Sequence, residues 1–398
     1  MANSIPRRLL SIDIFRAITM LLMIFVNDLW SLTNIPGWLE HVGKNDDGMG
    51  LADTVFPAFL FIVGLSIPFA IMARQARGDS QFKILMYIFT RTFALLVMGF
   101  FHVNLEDYSK LALIPKPIWQ ILITVAFFLI WLDYSPSMPK MKKNILQGSG
   151  IVLLIILAIL FKGDDPVRGT YMRPHWWGIL GLIGWAYLLG AVVYLFSKQS
   201  LVIITAALLF FLYFNIGVNA GWLDSIDKIK KYIWISGDGS MPALTMAGVL
   251  ISVIYIKLRN QNKTAQCWWI FTAIAIVMLL AGFYYRPRWG ISKIRATPSW
   301  VMICTAISIA MFLLLIFLID IKKKEKWFAI IKPGGTSTLT AYLLPYIHYA
   351  LINMLGKAFV LPLILRTGGI GIIKSLLYAL IIIIITGFLE RKRIRLKI

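Results

Sequence analysis

The chain has four histidines, and one of them, His41, lies among other groups able to do chemistry. Asn27 and Asp28 precede it, Glu40 and Asn45 flank it, and Asp53 follows. A histidine titrates near neutral pH, so it can take a proton from an attacking nucleophile or carry an acyl group itself. A carboxylate beside it would fix its tautomer and steady the imidazolium. An asparagine amide would hold a thioester carbonyl or an acceptor. Plainer readings stand beside these. A loop histidine often only faces water, and Asp53 opens an apolar run, where a carboxylate suits the positive end of a helix. Of the remaining histidines, His102 and His175 fall in expected outer loops. His348 falls in the outer half of an apolar run, among Tyr342, Tyr346 and Tyr349.

The elements that must position these groups are membrane spans. Of 398 residues, 59% are hydrophobic and 15% charged, and the mean hydropathy is +0.78. A soluble domain carries about a quarter of charged residues. The apolar residues come in runs of about 20, the length that crosses a hydrocarbon core as a helix. A bilayer admits only helices or closed barrels, and continuous runs without alternation select helices. The expected fold is therefore all-α: a polytopic membrane helical bundle of about 12 spans. They lie near 9–30, 51–73, 82–101, 113–132, 145–161, 176–197, 200–218, 241–257, 267–285, 297–319, 336–354 and 371–389. No soluble domain, long linker or fixed-period repeat interrupts them. The basic N-terminus leads straight into the first run with no A-x-A cleavage pattern, so that run is read as a retained helix.

The formal charge of +22 does not point to nucleic acid, because the bases sit in short loops between apolar runs. That placement is the positive-inside bias, and it puts the N and C termini on the cytoplasmic side. Two loops depart from it. Lys228, Lys230 and Lys231 fall outside, beside Asp224 and Asp227. Arg286, Arg288, Lys293 and Arg295 also fall outside, with no acid near them in sequence. That cluster is either a solvated loop or a contact for a carboxylate on a ligand. Cys267 and Cys304 lack CxxC spacing and a histidine partner, so they are read as packing residues and no metal is expected. A P-loop is absent, which removes ATP-driven transport.

Charges inside spans need a reason. Asp13 and Arg16 share one face of the first span and can pair locally. Arg91 lies about nine residues into the third span, near mid-membrane at ~1.5 Å per residue. Its partner could be Asp13, a carbonyl, or an anionic ligand such as a CoA phosphate.

At this point an ordered set of segments becomes recognisable. Arg8-Leu-Leu-Ser-Ile-Asp13-Ile-Phe-Arg16 is followed by Met23-Ile-Phe-Val-Asn27, then His41, then Gly50-Leu-Ala-Asp53-Thr-Val-Phe-Pro57-Ala-Phe. The series resembles the opening of the heparan-alpha-glucosaminide N-acetyltransferase-like transmembrane acetyltransferases, and the stretch Arg173-Pro-His-Trp-Trp-Gly-Ile-Leu-Gly-Leu-Ile-Gly-Trp185 resembles a bacterial subgroup with two additional helices. Looser similarities continue at Pro117-Ile-Trp-Gln120, Gly237-Asp238-Gly-Ser240, Lys293 with Thr297-Pro-Ser-Trp300, and Gly334 to Tyr342. There are departures: Ala17 replaces a family glycine, and Asp28-Leu-Trp-Ser replaces a run of glycines, so the acceptor pocket is expected to differ.

The resemblance implies one transmembrane acyltransferase domain over 1–398. It would move an acetyl group from cytosolic acetyl-CoA, a co-substrate, to an amino sugar or glycan fragment on the outer side. It implies His41, Asp53 and Asn27 as catalytic residues. Arg16, Arg91 and Asp13 would lie toward acetyl-CoA, and Asp28, Asp238, Lys293 and His348 toward the acceptor. N- and O-acetylation both stay open, as do a ternary complex and an acyl-imidazole route. The expected setting is a bacterial inner membrane with lipid around it, and a homodimer is among the open assemblies. The alternative is a secondary transporter for sugars, although such transporters often show two repeated halves that this sequence lacks.

Overall fold

The computed structural model describes residues 9–164, 170–224, 237–356 and 361–398. Asp227, Lys228, Lys230 and Lys231, which entered the reading of sidedness, and Arg8, which opens the recognisable series, lie outside the described residues. Each expected span contains a helix. We label them α1 (Leu10–Asp28), α2 (Leu51–Gln75), α3 (Gln81–Val103), α4 (Lys116–Trp131), α5 (Lys140–Ile159) and α6 (Gly178–Ser197). The others are α7 (Leu201–Asn219), α8 (Ser240–Asn260), α9 (Gln266–Trp289), α10 (Pro298–Leu315), α11 (Thr338–Leu355) and α12 (Gly368–Arg391). The chain is all-helical; among the described residues, β-pairing is confined to isolated bridges. Among the described residues, ten helices are long and apolar enough to cross a membrane. The other two are α4, which has only 16 residues, and α11, which carries Pro345, His348 and three tyrosines.

The helices fall into two compact units. The first comprises residues 1–19, 36–92 and 183–328. Within it α8 packs on α2, α7 and α10, and α9 lies along α10. In lipid no hydrophobic force drives helix against helix, so close backbone approach and interhelical hydrogen bonds must do so. Glycines supply the approach: a Cβ on Gly64 would strike the Thr245 carbonyl oxygen, and one on Gly248 the Phe61 carbonyl oxygen. The hydroxyls of Thr245 and Ser252 then donate to the carbonyls of Leu60 and Leu65, at 3.4 and 3.0 Å.

The second unit comprises residues 20–35, 93–182 and 329–398. Here α4 packs on α5 and α11, and α11 on α12. Trp119, fully buried, donates its indole N–H to the Leu157 carbonyl at 3.0 Å, and Gln120 donates to the Tyr346 carbonyl at 2.7 Å. His102, expected in a loop, is in the last turn of α3. It is buried, with its ring stacked 4.2 Å from that of Tyr346. His175 stays in a loop and lies 3.2 Å from Asp107.

The α2–α8 contact sets up a pair of opposite outcomes. Gly248→Ala forces backbone apart and should lower stability in detergent by about 1–3 kcal/mol. Gly148→Ala on α5 meets nothing within 4 Å and should raise stability by up to ~1 kcal/mol through helix propensity. Thermal unfolding of the two variants in one detergent reads the difference, and equal shifts would deny that the glycines set the spacing.

Candidate functional site

The site is assembled at the start of α2, where Gly50 is the N-cap and Asp53 the third helical residue. The first turn of a helix leaves backbone N–H groups without intrahelical partners. Asp53 turns its carboxylate back over that end. Its Oδ2 accepts the N–H of Gly50 at 3.1 Å and the N–H of Val42 at 3.0 Å. Gly50 lets the incoming loop lie this close, because a Cβ there would collide with the Glu40 carbonyl oxygen. The next residue along the loop is His41. Its Nδ1 lies 2.7 Å from Asp53 Oδ1. The carboxylate accepts a hydrogen bond from Nδ1–H, which favours the neutral tautomer with its lone pair on Nε2. Asp53 is 1% exposed, whereas the His41 side chain is 46% exposed, so the carboxylate is dry and the ring reachable.

Asp53 is also held by its backbone. Four residues on stands Pro57, which has no N–H to offer the Asp53 carbonyl. The indole of Trp300, in α10, fills that place with a hydrogen bond of 3.0 Å.

A second loop completes the site. Asp47 Oδ2 accepts from Arg286 Nε at 2.9 Å, and Asp47 Oδ1 accepts from the Ile291 N–H at 2.7 Å. The Gly48 N–H returns a bond to the Ile291 carbonyl at 3.0 Å. The Ile291 N–H, together with Arg286, holds the Asp47 carboxyl below the usual carboxylate range. This clasp fastens the segment after α9 against the histidine loop and carries Lys293 into the site. Lys293 Nζ is 3.3 Å from His41 Nδ1 and 4.0 Å from Asp53 Oδ1. Burial pushes its amine below the usual lysine value, and the Asp53 charge opposes that shift. The imidazole therefore has a carboxylate and an amine beside the same ring nitrogen.

Other expected site residues stand elsewhere. In the first unit, Arg16 donates to Asp13 at 3.3 Å and to Ser66 Oγ at 2.5 Å. Arg91 donates to the Tyr87 hydroxyl at 3.2 Å and lies 5.1 Å from the centre of the Tyr187 ring. Asp238 caps α8 through the Ser240 N–H at 2.9 Å and the Ser240 hydroxyl. In the second unit, Asn27 is exposed in the last turn of α1. Asp28 is buried and accepts from Lys374 at 2.6 Å, Ser375 at 2.6 Å and Tyr349 at 2.5 Å. His348 lies against the rings of Tyr349 and Tyr378, with centroids 5.4 and 5.0 Å away.

The structure thus joins His41, Asp53 and Lys293. Sequence reasoning expected Lys293 near a ligand, not beside the histidine, and it missed Asp47 and Trp300. For Asp47 and Lys293 the partners lie more than 200 positions apart, and no spacing signals them. The need for Trp300 was signalled indirectly, since Pro57 four residues after Asp53 leaves a carbonyl that something must meet.

Comparison with known proteins bears on the same region. A family described as a domain of unknown function, DUF5009, matches residues 8–226. Heparan-alpha-glucosaminide N-acetyltransferase of Homo sapiens is 38% identical over 106 residues, covering 26% of this chain and 15% of the human protein. The Mus musculus protein of the same name is 36% identical over 106 residues, with the same shares. The chain therefore matches about 15% of the length of these relatives. With more than half of its residues on the family profile, the chain belongs to the DUF5009 family, and over a quarter of its length it is similar to the heparan-alpha-glucosaminide N-acetyltransferases.

Proposed function

We propose that the protein is a transmembrane acetyltransferase that moves an acetyl group from acetyl-CoA to an amine, or to a hydroxyl, of an amino sugar or glycan fragment. The observation that carries this reading is the His41–Asp53 pair: a reachable imidazole whose Nδ1 is held by a dry carboxylate 2.7 Å away. In that state Nε2 is a base. It takes the proton of the acceptor as the acceptor nitrogen or oxygen bonds to the thioester carbon. As the carbon–sulfur bond breaks, the imidazolium returns the proton to the departing thiolate. Asp53 steadies the imidazolium between these steps. Lys293, 3.3 Å from Nδ1, is proposed to help set the position of the ring. Arg16 and Arg91 are the proposed contacts for the anionic donor, and the expected topology places that donor in the cytosol.

The similarity to proteins named as heparan-alpha-glucosaminide N-acetyltransferases, over 106 residues, supports this reading. The test is acetylation of a panel of amino sugars by detergent-purified protein supplied with acetyl-CoA. Wild type should transfer, and His41→Ala should lose on the order of 10²–10⁴-fold in turnover. Asp53→Asn should lose a comparable factor while remaining folded. An asparagine oxygen can still accept from Gly50 and Val42, but its amide donates to Nδ1 and moves the ring proton to Nε2. No acetyl-CoA binding by wild type would sink the proposal and turn attention to sugar transport.

Lys293 is tested separately. Its Nζ lies 3.3 Å from His41 Nδ1, so Lys293→Gln should lower kcat/KM on the order of 10-fold through looser placement of the ring. A kcat/KM equal to that of wild type would show that Lys293 does not act on the histidine.

A further inference from the structure

The segment that carries Lys293 is fixed on every side. The Ser292 N–H donates to Thr297 Oγ1 at 3.0 Å, and the Thr297 N–H donates back to the Ser292 carbonyl at 3.1 Å. Between them, the Ala296 N–H donates to the Lys293 carbonyl at 3.0 Å. Ala296 has a φ of +48°, a left-handed conformation that alanine rarely adopts. The buried side chain of Asn215 holds it there, donating to the Ala296 carbonyl at 2.9 Å. Toward the histidine loop, Ser292 Oγ donates to the Lys44 carbonyl at 3.4 Å. A residue in a sparsely populated conformation persists only where its surroundings over-determine it, and such residues gather at functional sites.

The group this turn positions is an amine. Lys293 Nζ lies 3.3 Å from His41 Nδ1 and 4.0 Å from Asp53 Oδ1, on a side chain that is 27% exposed. Burial favours its uncharged form, and an uncharged amine is a nucleophile. Lys44, in the histidine loop itself, is a useful contrast because its side chain is exposed. The transfer described under the proposed function carries an acetyl group to an amine beside His41. Lys293 presents an amine beside His41 before any acceptor arrives.

We propose that Lys293 is itself an acetyl acceptor: when no amino sugar fills the site, the protein acetylates its own Nζ. The proposal rests on the acetyltransferase reading. Nζ bonds to the thioester carbon, and the carbon–sulfur bond breaks. His41 Nε2 takes the proton that Nζ gives up and passes it to the departing thiolate, so the products are acetylated Lys293 and free CoA thiol. The flexible lysine stem lets Nζ move from the Nδ1 edge of the ring toward the Nε2 edge, where that proton goes. The product is a dead end, because an amide is no longer a nucleophile and carries no charge opposite Asp53. Donor in excess over acceptor would therefore slow the protein.

The experiment is peptide mass spectrometry of the full chain, purified in detergent and incubated with acetyl-CoA but no acceptor. Lys293 should gain one acetyl group while Lys44 stays largely unmodified. His41→Ala should reduce labelling of Lys293 on the order of 10²-fold. Activity toward the amino-sugar panel is then measured on the same samples. Wild type should lose activity in step with its labelling. Lys293→Arg, whose guanidinium stays charged, should hold its own starting rate through the same incubation. Transfer to the panel by a protein that leaves Lys293 unmodified would overturn the inference and leave the acetyltransferase reading standing. Labelling unchanged in His41→Ala, or equal on Lys44 and Lys293, would also overturn it, since the donor alone would then be acetylating exposed amines. The Lys44 comparison is made within wild type, so it stands however the variants fold. Neither transfer nor labelling would remove both readings.

Discussion

The geometry of the candidate site depends on the Asp53 carboxylate, which closes the N-terminus of α2 and holds the histidine ring with its two oxygens. One oxygen takes two backbone N–H groups, and the other takes the imidazole. The two tasks are coupled. A carboxylate free to rotate could not define the tautomer of His41, and a helix end without its acceptors would not hold the loop that presents the ring. The backbone of the same residue is tied in as well, since Pro57 frees the Asp53 carbonyl and Trp300 claims it. Further along α2, Gly64 lies too close to α8 for the helix to shift without a clash. The exposed histidine is thus mounted on one of the most tightly constrained segments of its unit.

That arrangement also supplies the counter-charges that the basic loop lacked in sequence. Arg286 and Lys293 looked unaccompanied in sequence. Their counter-charges are Asp47 and Asp53, supplied from the far side of the sequence by the loop before α2 and by its first turn. Arg286, a candidate for binding a ligand carboxylate, already has one in Asp47. Its role is to bring Lys293 to the histidine.

Much of the fold was legible because lipid leaves few options. A run of about 20 apolar residues must satisfy its backbone internally, so it reads as a helix whatever surrounds it. The reading weakened where a span was short or polar, as in α4 and α11, and at His102, one residue beyond the expected end of α3. At the site, the pairing of His41 with Asp53 was legible because twelve residues of loop and a helix start constrain both. The position of Lys293 was not, because a contact across 252 positions leaves no periodic trace. Arg91 was recognised as needing a partner, but the chemistry of that partner was not foreseen: tyrosines answer it, not an acid.

The difference between Arg91 and Asp28 shows how a buried charge can be either spent or kept available. Asp28 accepts from an ammonium and two hydroxyls, which fill most of the lone-pair sites of a carboxylate. Its charge is cancelled by Lys374 at 2.6 Å. Such a group joins α1 to α11 and α12 and has little left to offer a ligand. Arg91 carries five N–H donors, of which one reaches Tyr87, while its Nε has no hydrogen-bond partner among the described residues. A ring face and a neutral hydroxyl soften the cost of an intramembrane cation without cancelling its charge. A guanidinium held in that way keeps its charge and most of its donors, and that is the physical ground on which Arg91 is proposed as a contact for an anionic donor.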